Sequence, residues 1–322
     1  MQFFEISSKE QLDALGKEYA VFKHGCILAL GFFDGIHIAH RDLVHRARIE
    51  ANEKNIPLVI FTFSAKSSSL KAGSPRLLTD KEKFFEFSEL LADVVVSFDF
   101  ELIKNIDAKT FITEILVNKL NTHTAFCGFN FRFGKNAEGN TALLEEKMKS
   151  LGRSTVTVPE FKENGILVSS SLIRDLLLDK KLRCAAKLLG KPFFADGLVS
   201  HGLGLGKKLG FPTVNLALNK EKLALPSGVY FTAVKWNGSI YPAITNFGIC
   251  PTFDEREIHS ETFIFNFEGN LYGENIRLYF IEFIRDEIKF SSQNELITQI
   301  NVDKNKALKL MEEIKWQEIG LS

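Results

Sequence analysis

His37 and His40 lie three residues apart in the segment GFFDGIHIAH, residues 31–40. A neutral imidazole can donate an N–H to a phosphate oxygen, and Gly31 and Gly35 allow the backbone to come close to a ligand. Asp34 falls in the same turn. The plain alternative is a pair of surface histidines on a helix. Zinc fits less well, because no nearby cysteine or HExxH pattern completes a ligand set. A second segment, GFNFRFGKNAEG (128–139), mixes glycines with alternating aromatics. Asn130 and Arg132 there suit a base, a flavin or a phosphate, and a glycine-rich hairpin with core aromatics is the other reading. A third segment runs Ser169-Ser170-Ser171-Leu-Ile-Arg174. Hydroxyls at a helix start usually cap it. Arg174, one turn on, can grip a phosphate with its planar fork.

The second half carries its own candidates. GLGLGKKLGFPTVN (202–215) is not a Walker A loop, since position 201 is His and position 208 is Lys. Nor is it a Rossmann fingerprint, because it does not open a helix. It remains a glycine arch, Gly206 and Gly210 included, whose N–H groups can form an anion nest ahead of Pro212. Thr213 and Asn215 then offer hard oxygens, which suit Mg²⁺ shared with nucleotide phosphates. Glu261 lies in ETFIFNF (261–267), where strand alternation puts it on one face with Phe263, Phe265 and Phe267. It is either a solvated group at the mouth of a barrel or a placed base.

These segments need elements to hold them. Short apolar runs at 26–33, 57–63, 93–98, 124–128 and 154–158 predict strands. Helical patterns follow at 38–54, 79–91, 107–120 and 141–151, with a capping-box signature at Thr79–Glu82 and a cap at Asp107. Strand–helix alternation predicts a parallel sheet with helices on both faces. Ligands of such sheets sit beyond the strand C-termini, where all three first-half segments are expected to converge. After the helical stretch 182–190, closed by Gly190 and Pro192, the pattern turns to short strands with an Asn237-Gly238 hairpin signal. An antiparallel barrel and a final helix over 294–317 are expected. The domains are taken as 1–183 and 184–322.

The totals fit this reading. A chain of 322 residues has room for two cores. Its 40 basic and 40 acidic residues leave no basic surplus, so no nucleic-acid partner is expected. No apolar run approaches the roughly 20 residues that cross a membrane. The start, MQFFEISSKEQL, lacks the pattern of a secretion signal. Cys26, Cys127, Cys184 and Cys250 form no C-x-x-C pair and read as reduced core residues of a cytoplasmic protein.

The ordered run G-x-F-D-G-x-H-x-x-H, G-F-N-F-x-F-G and S-S-S-x-I-R resembles the adenylyltransferase half of the prokaryotic bifunctional riboflavin kinase/FAD synthetases. The run from G-L-G-x-x-L-G-F-P-T-x-N through Asn246-Phe-Gly248 and Glu261 to Ile284-Arg285-Asp-Glu-Ile-Lys-Phe290 resembles their riboflavin kinase module. The resemblance implies a Rossmann-like nucleotidyltransferase domain followed by a six-stranded barrel with a C-terminal helix. It implies ATP as co-substrate, Mg²⁺ as cofactor, and riboflavin and FMN as ligands. By the same route His37, His40 and Asn130 handle ATP phosphates, Ser170, Ser171 and Arg174 close over the triphosphate, Thr213 and Asn215 hold Mg-ATP, and Glu261 is the general base. Phe129, Phe133 and Arg285 are candidates for flavin contact. The chain departs from the family pattern in having Ala39 between the histidines, Ser171 for a threonine, and no prolines after Thr62-Phe63. A kinase with a decayed first half, or a flavin-nucleotide carrier without turnover, also fits part of this pattern.

Overall fold

The computed structural model describes residues 1–16, 20–64, 75–200, 211–251 and 256–321, with backbone alone at 249–251, 256–259 and 318. Gly206 and Gly210 lie outside the described residues. The chain forms two compact units. The first comprises Met1–Ser74 and Asp80–Val168, and the second Pro75–Thr79 and Ser169–Ser322.

The first unit is built on six parallel strands: β1 (Gln2–Ile6), β2 (Cys26–Leu30), β3 (Leu58–Phe63), β4 (Val94–Phe98), β5 (Thr122–Gly128) and β6 (Ser154–Val158). Their order is β1-β4-β3-β2-β5-β6. Every residue of β2 is buried, as a central strand covered on both faces requires. Helix α1 (Lys9–Ala14) is closed by a Ser8–Gln11 capping box. Helix α2 (Ile38–Lys54) lays Leu43, Val44, Ala47 and Ala51 inward. Helix α3 (Asp80–Glu89) buries Glu82, Lys83, Glu86 and Phe87. Short helices α4 (Phe100–Ile103) and α5 (Ala108–Thr110) follow, the second capped by Asp107 and running into a π-helical stretch, Phe111–Lys119. Helix α6 (Thr141–Ser150) is capped by Asn140. A two-stranded hairpin, β7 (Lys162–Glu163) and β8 (Ile166–Leu167), ends the unit.

Two expectations change. The strand expected over 26–33 stops at Leu30, because Phe33 takes a left-handed φ of 53° that no strand allows. Strand β1 escaped the periodicity argument because its burial rises along the strand instead of alternating.

In the second unit, α7 (Ser170–Leu178) and α8 (Leu182–Leu189) precede the barrel, and α8 ends on Gly190 in the left-handed region at φ 79°. Among the described residues, β9 (Phe193–Ser200), β10 (Thr213–Ala217), β11 (Gly228–Trp236), β12 (Ser239–Pro251), β13 (Arg256–Ile264) and β14 (Asn275–Arg285) close a six-stranded antiparallel barrel. The order is β10-β13-β12-β11-β14-β9. The β11–β12 turn has φ of 48° at Asn237 and 79° at Gly238, the pair that a type I′ hairpin needs. Thr232, Thr245 and Thr262 are fully buried and joined hydroxyl to hydroxyl, at 2.9 Å in both links. They tie β11, β12 and β13 together across the interior.

Helix α9 (Gln293–Glu313) docks through an ion pair rather than through apolar contact alone. Arg285 at the end of β14 forks onto Asp303, with Nε 3.0 Å from Oδ1 and Nη2 2.8 Å from Oδ2. Asp303 is buried and takes a further bond from Gln299 at 2.9 Å. Arg285 is therefore engaged by the helix. Cys26 and Cys127 are buried thiols as expected, but Cys184 is exposed on α8. Removing one member of an enclosed ion pair leaves the other charge uncompensated, at a cost of about 3 kcal/mol. Both tryptophans, Trp236 and Trp316, lie in this unit. Asp303→Ala should therefore lower the unfolding free energy read from tryptophan emission in urea by that amount, and an unchanged midpoint would remove the clamp from the stability of the unit.

Candidate active sites

The first site grows out of the sheet order. From β2 the chain winds to β3 and β4 on one side and to β5 and β6 on the other. Neighbouring connections therefore part company between β2 and β5, opening a crevice at their C-terminal ends. The segment from Gly31 leaves β2 there, and the segment from Phe129 leaves β5 there.

The turn after β2 is strained. Phe33, Gly35 and Ile36 all have positive φ, at 53°, 84° and 40°. Phe33 and Ile36 are not glycines, and such conformations cost on the order of 1–3 kcal/mol each. Both side chains are fully buried, and burial of groups of this size returns roughly 1.5–3 kcal/mol each. Phe33 packs edge-on against Phe87 and against His40, with ring centroids 5.4 and 5.2 Å apart. A Cβ on Gly31 would stand 2.9 Å from the Phe33 ring, so only glycine leaves room for it.

The turn delivers two imidazoles to the start of α2. His37 is the N-cap, and its Nδ1 accepts the backbone N–H of His40 at 3.4 Å. That bond leaves Nδ1 without a proton, so the neutral ring carries its N–H on Nε2. The His40 ring stacks on it, centroids 3.7 Å apart and planes 12° off parallel. Burial pushes the His37 pKa down to about 4, against the pull of Asp34, which raises it. Burial also holds His40 well below the ordinary histidine range, helped by the neighbouring His37 and Lys83. The Nδ1 of His40 is enclosed without a hydrogen-bond partner among the described residues. Two neutral imidazoles at the N-terminus of a 17-residue helix can donate hydrogen bonds where the helix dipole also favours an anion. Asp34 is buried in the same turn.

After β5, Phe129 and Asn130 are exposed and Arg132 is exposed beside them. Phe133 is not: it is 7% exposed, stacked on Phe131 and tilted against Phe111, and Gly139 closes over its ring. It packs into the core and leaves little surface free. The third segment opens α7 in the second unit. Ser169 caps the helix, accepting from the Leu172 N–H at 3.2 Å. Ser170 is half-buried and Ser171 exposed. Arg174 donates from Nε to the Pro75 carbonyl at 3.0 Å.

The sequence pattern did not reveal α3 as part of the first site. Lys83 is 1% exposed and donates to the carbonyls of Phe32 and Phe63, at 3.2 and 3.3 Å. Thr62 donates to the same Phe32 carbonyl at 3.1 Å. Glu86, also buried, pairs with Arg41 at 2.6 Å. In KEKFFEFSEL the phenylalanines draw the eye to an apolar stripe, yet Phe85 is exposed while Glu82, Lys83 and Glu86 are buried. Only the 83/86/87 spacing, one helical face, hinted at this.

The second site lies on the outer surface of the barrel. Across β10 and β13 the register pairs Thr213 with Phe263 and Asn215 with Glu261. Across β12 and β13 it pairs Asn246 with Glu261. Directly paired residues of an antiparallel sheet project to one face. Val214, Thr262 and Leu216 alternate to the other side, Thr262 and Leu216 being buried. Asn215, Glu261 and Asn246 therefore form one outward row over three strands, with Thr213 and Phe263 beside it. No described residue hydrogen-bonds the Thr213 hydroxyl, the Asn215 amide or the Glu261 carboxylate. Pro212 is exposed just before β10, and Phe211 meets the Phe263 ring edge-on at 5.7 Å. The expected face of Glu261 with three phenylalanines is cut short: β13 ends at Ile264, Asn266 turns at φ 52°, and Phe265 is buried. Among the described residues no cluster of three or more His, Cys, Asp or Glu side chains could hold a metal by itself. A hydroxyl and an amide oxygen two residues apart on one strand do fit Mg²⁺, a cation that keeps waters and shares phosphate oxygens.

Comparison with known proteins maps onto these two regions. The FAD synthetase family model matches residues 20–172, and the riboflavin kinase family model matches residues 189–311. A bifunctional riboflavin kinase/FMN adenylyltransferase of Bacillus subtilis is 33% identical over 298 residues, covering 90% of this chain and 93% of that one. The protein of the same description from Escherichia coli K12 is 32% identical over 286 residues, covering 87% and 91%. The crystal structure of a macrolide-efflux protein from Streptococcus pneumoniae superposes with a TM-score of 0.81 at 27% identity, over 95% of this chain and 98% of that one. With both halves matched in order and relatives above 30% identity over most of its length, the chain belongs to the bifunctional riboflavin kinase/FMN adenylyltransferase family.

Proposed function

We propose that the turn after β2 and the start of α2 form the adenylyltransferase phosphate site, and that the outward row on β10, β12 and β13 forms the kinase site. The chain carries both activities of its family, riboflavin phosphorylation and FMN adenylylation, so a kinase with a decayed first half and a carrier without turnover are not favoured. ATP is the co-substrate of each. The observation that carries the site assignment is that each family match holds polar groups left without a hydrogen-bond partner among the described residues: the Nδ1 of His40 at the head of α2, and the side chains of the Thr213/Asn215/Glu261 row.

In the kinase reaction the terminal ribityl hydroxyl of riboflavin attacks the γ-phosphorus of ATP, the bond to ADP breaks, and FMN forms. The transition state is loose, so positioning and charge neutralisation supply most of the acceleration. Glu261 is the proposed base and accepts the hydroxyl proton. Thr213 and Asn215 are the proposed holders of Mg²⁺, which when bound offsets the negative charge of the phosphates. In the adenylylation a phosphate oxygen of FMN attacks the α-phosphorus of ATP and pyrophosphate leaves. That oxygen is already an anion, so no base is needed. His37 and His40 donate to phosphate oxygens as neutral rings, with Gly31, Asp34 and Gly35 shaping the turn and Asn130 at the adjoining strand end. Ser170, Ser171 and Arg174 are proposed as further phosphate contacts. Phe129, exposed after β5, is a flavin candidate of the first unit. The buried free thiols of Cys26 and Cys127 support a cytoplasmic setting.

Three outcomes test these roles. Glu261→Gln should reduce FMN formation from riboflavin by about 10²–10⁴-fold while FMN-to-FAD conversion persists. Unimpaired phosphorylation in that variant would dismiss Glu261 as the base. His37→Ala with His40→Ala should do the reverse, abolishing pyrophosphate release from FMN and ATP while riboflavin kinase activity continues. Neutral imidazoles also have a signature in stability. His37 is held at about 4 in the folded chain against an unfolded value of 6.5, so between those values the unfolded state binds more protons. Stability then falls as pH drops through that window, by about 2 kcal/mol between pH 7 and pH 5 for this one group. His37→Asn, which keeps a capping oxygen, should show a smaller fall in urea midpoint by far-UV ellipticity. Equal falls in both proteins would contradict the neutral assignment.

A further inference from the structure

The inward face of α3 does more than cover the sheet. Lys83, Glu86 and Phe87 stand at i, i+3 and i+4, and each touches a different part of the turn that carries His37 and His40. Lys83 binds the Phe32 carbonyl at 3.2 Å and the Phe63 carbonyl at 3.3 Å, with its ammonium 5.0 Å from the Phe32 ring centroid. Phe87 packs edge-on against Phe33. Glu86 holds Arg41, the residue after His40. One helical face thus grips the turn where it leaves β2, at its left-handed corner, and where it enters α2.

A buried lysine is an expensive way to fill space, because an apolar chain of the same volume avoids the desolvation of a charge. What the ammonium does that an apolar group cannot is donate to two carbonyls at once. The Phe32 carbonyl belongs to the peptide that precedes Phe33, the first left-handed residue of the turn. With that carbonyl held from one side by Lys83 and from another by Thr62 at 3.1 Å, the peptide plane is fixed. The positive φ of Phe33 then cannot relax into the extended or right-handed region without breaking both bonds.

We infer that Lys83 is a positioning residue for FMN adenylylation: through the Phe32 carbonyl it locks the strained turn that sets His37, His40 and the head of α2 against the nucleotide phosphates. The inference rests on the assignment of that turn as the adenylyltransferase site. The kinase half of the same chain provides an internal control.

Lys83→Met removes the ammonium and both of its bonds to the Phe32 and Phe63 carbonyls at nearly constant volume. In the full chain, with Mg²⁺ and ATP, it should lower kcat/KM for adenylylation of FMN at least tenfold while riboflavin phosphorylation stays within twofold. Lys83→Arg, which keeps donors, should recover part of the loss. Thr62→Val reaches the same carbonyl without touching a charge and should act in the same direction more weakly. It carries the test should Lys83→Met fail to fold. The two acting through one peptide, Lys83→Met/Thr62→Val should be no worse than Lys83→Met alone, a non-additivity that a general loss of stability does not produce. Adenylylation within twofold of the unaltered chain in folded Lys83→Met, or fully multiplicative losses in the double variant, would overturn the role of Lys83. His37→Ala in the same assay separates the two ideas: loss of adenylylation there with none in Lys83→Met refutes the lysine alone, and retention in both refutes the assignment of the turn.

Discussion

The adenylyltransferase half depends on a backbone that does not want to be where it is. Two non-glycine residues in the turn after β2 hold left-handed conformations, and one of them, Ile36, is β-branched. Such a turn persists only where its surroundings over-determine it. Here the surroundings are specific. Phe33 and Ile36 are sealed from solvent, Gly31 makes room for the Phe33 ring, and the Phe32 carbonyl is held by two donors. The reward is placement: the chain leaves the middle of a parallel sheet and enters α2 with His37 as its cap.

The same enclosure decides the chemistry of the imidazoles. Exposed histidines near a triphosphate would titrate close to neutral pH, and their charge would vary with it. Burial keeps both neutral, and the cap bond to His37 Nδ1 fixes which nitrogen carries the proton. The helix supplies its dipole while the rings supply directed donors, so the site favours an anion without a permanent charge on either ring.

The kinase half solves its problem differently. Its polar row is not strained and not buried. It exists because strand register brings Asn215, Glu261 and Asn246 side by side from positions far apart in the chain. The alternate residues face inward, where the Thr232–Thr245–Thr262 hydroxyl chain locks β11, β12 and β13 in register. A slip of one residue would turn Glu261 into the interior and a threonine out. The buried hydroxyls are thus what keeps the outer row in line, and the Arg285–Asp303 clamp fixes the helix that follows the barrel.

Much of this was legible in the linear chain. Apolar runs of strand length separated by helical periods fixed a parallel sheet, and short strands with an Asn-Gly turn fixed an antiparallel barrel, because these patterns depend on local period and turn chemistry. His37, His40, Thr213, Asn215 and Glu261 could be singled out from residue type and order. Other features could not. That Phe133 and Arg285 serve the core and the helix clamp, that Lys83 and Glu86 turn inward while Phe85 turns out, and that Phe33 bends left-handed all depend on what packs against them from distant parts of the chain. Sequence alone determined the central strands, the longer helices and the residue types they carry, though not β1 at the edge of the sheet. Only the tertiary structure decided which face of each element is inside, because burial, unlike periodicity, is set by partners that lie far away along the chain.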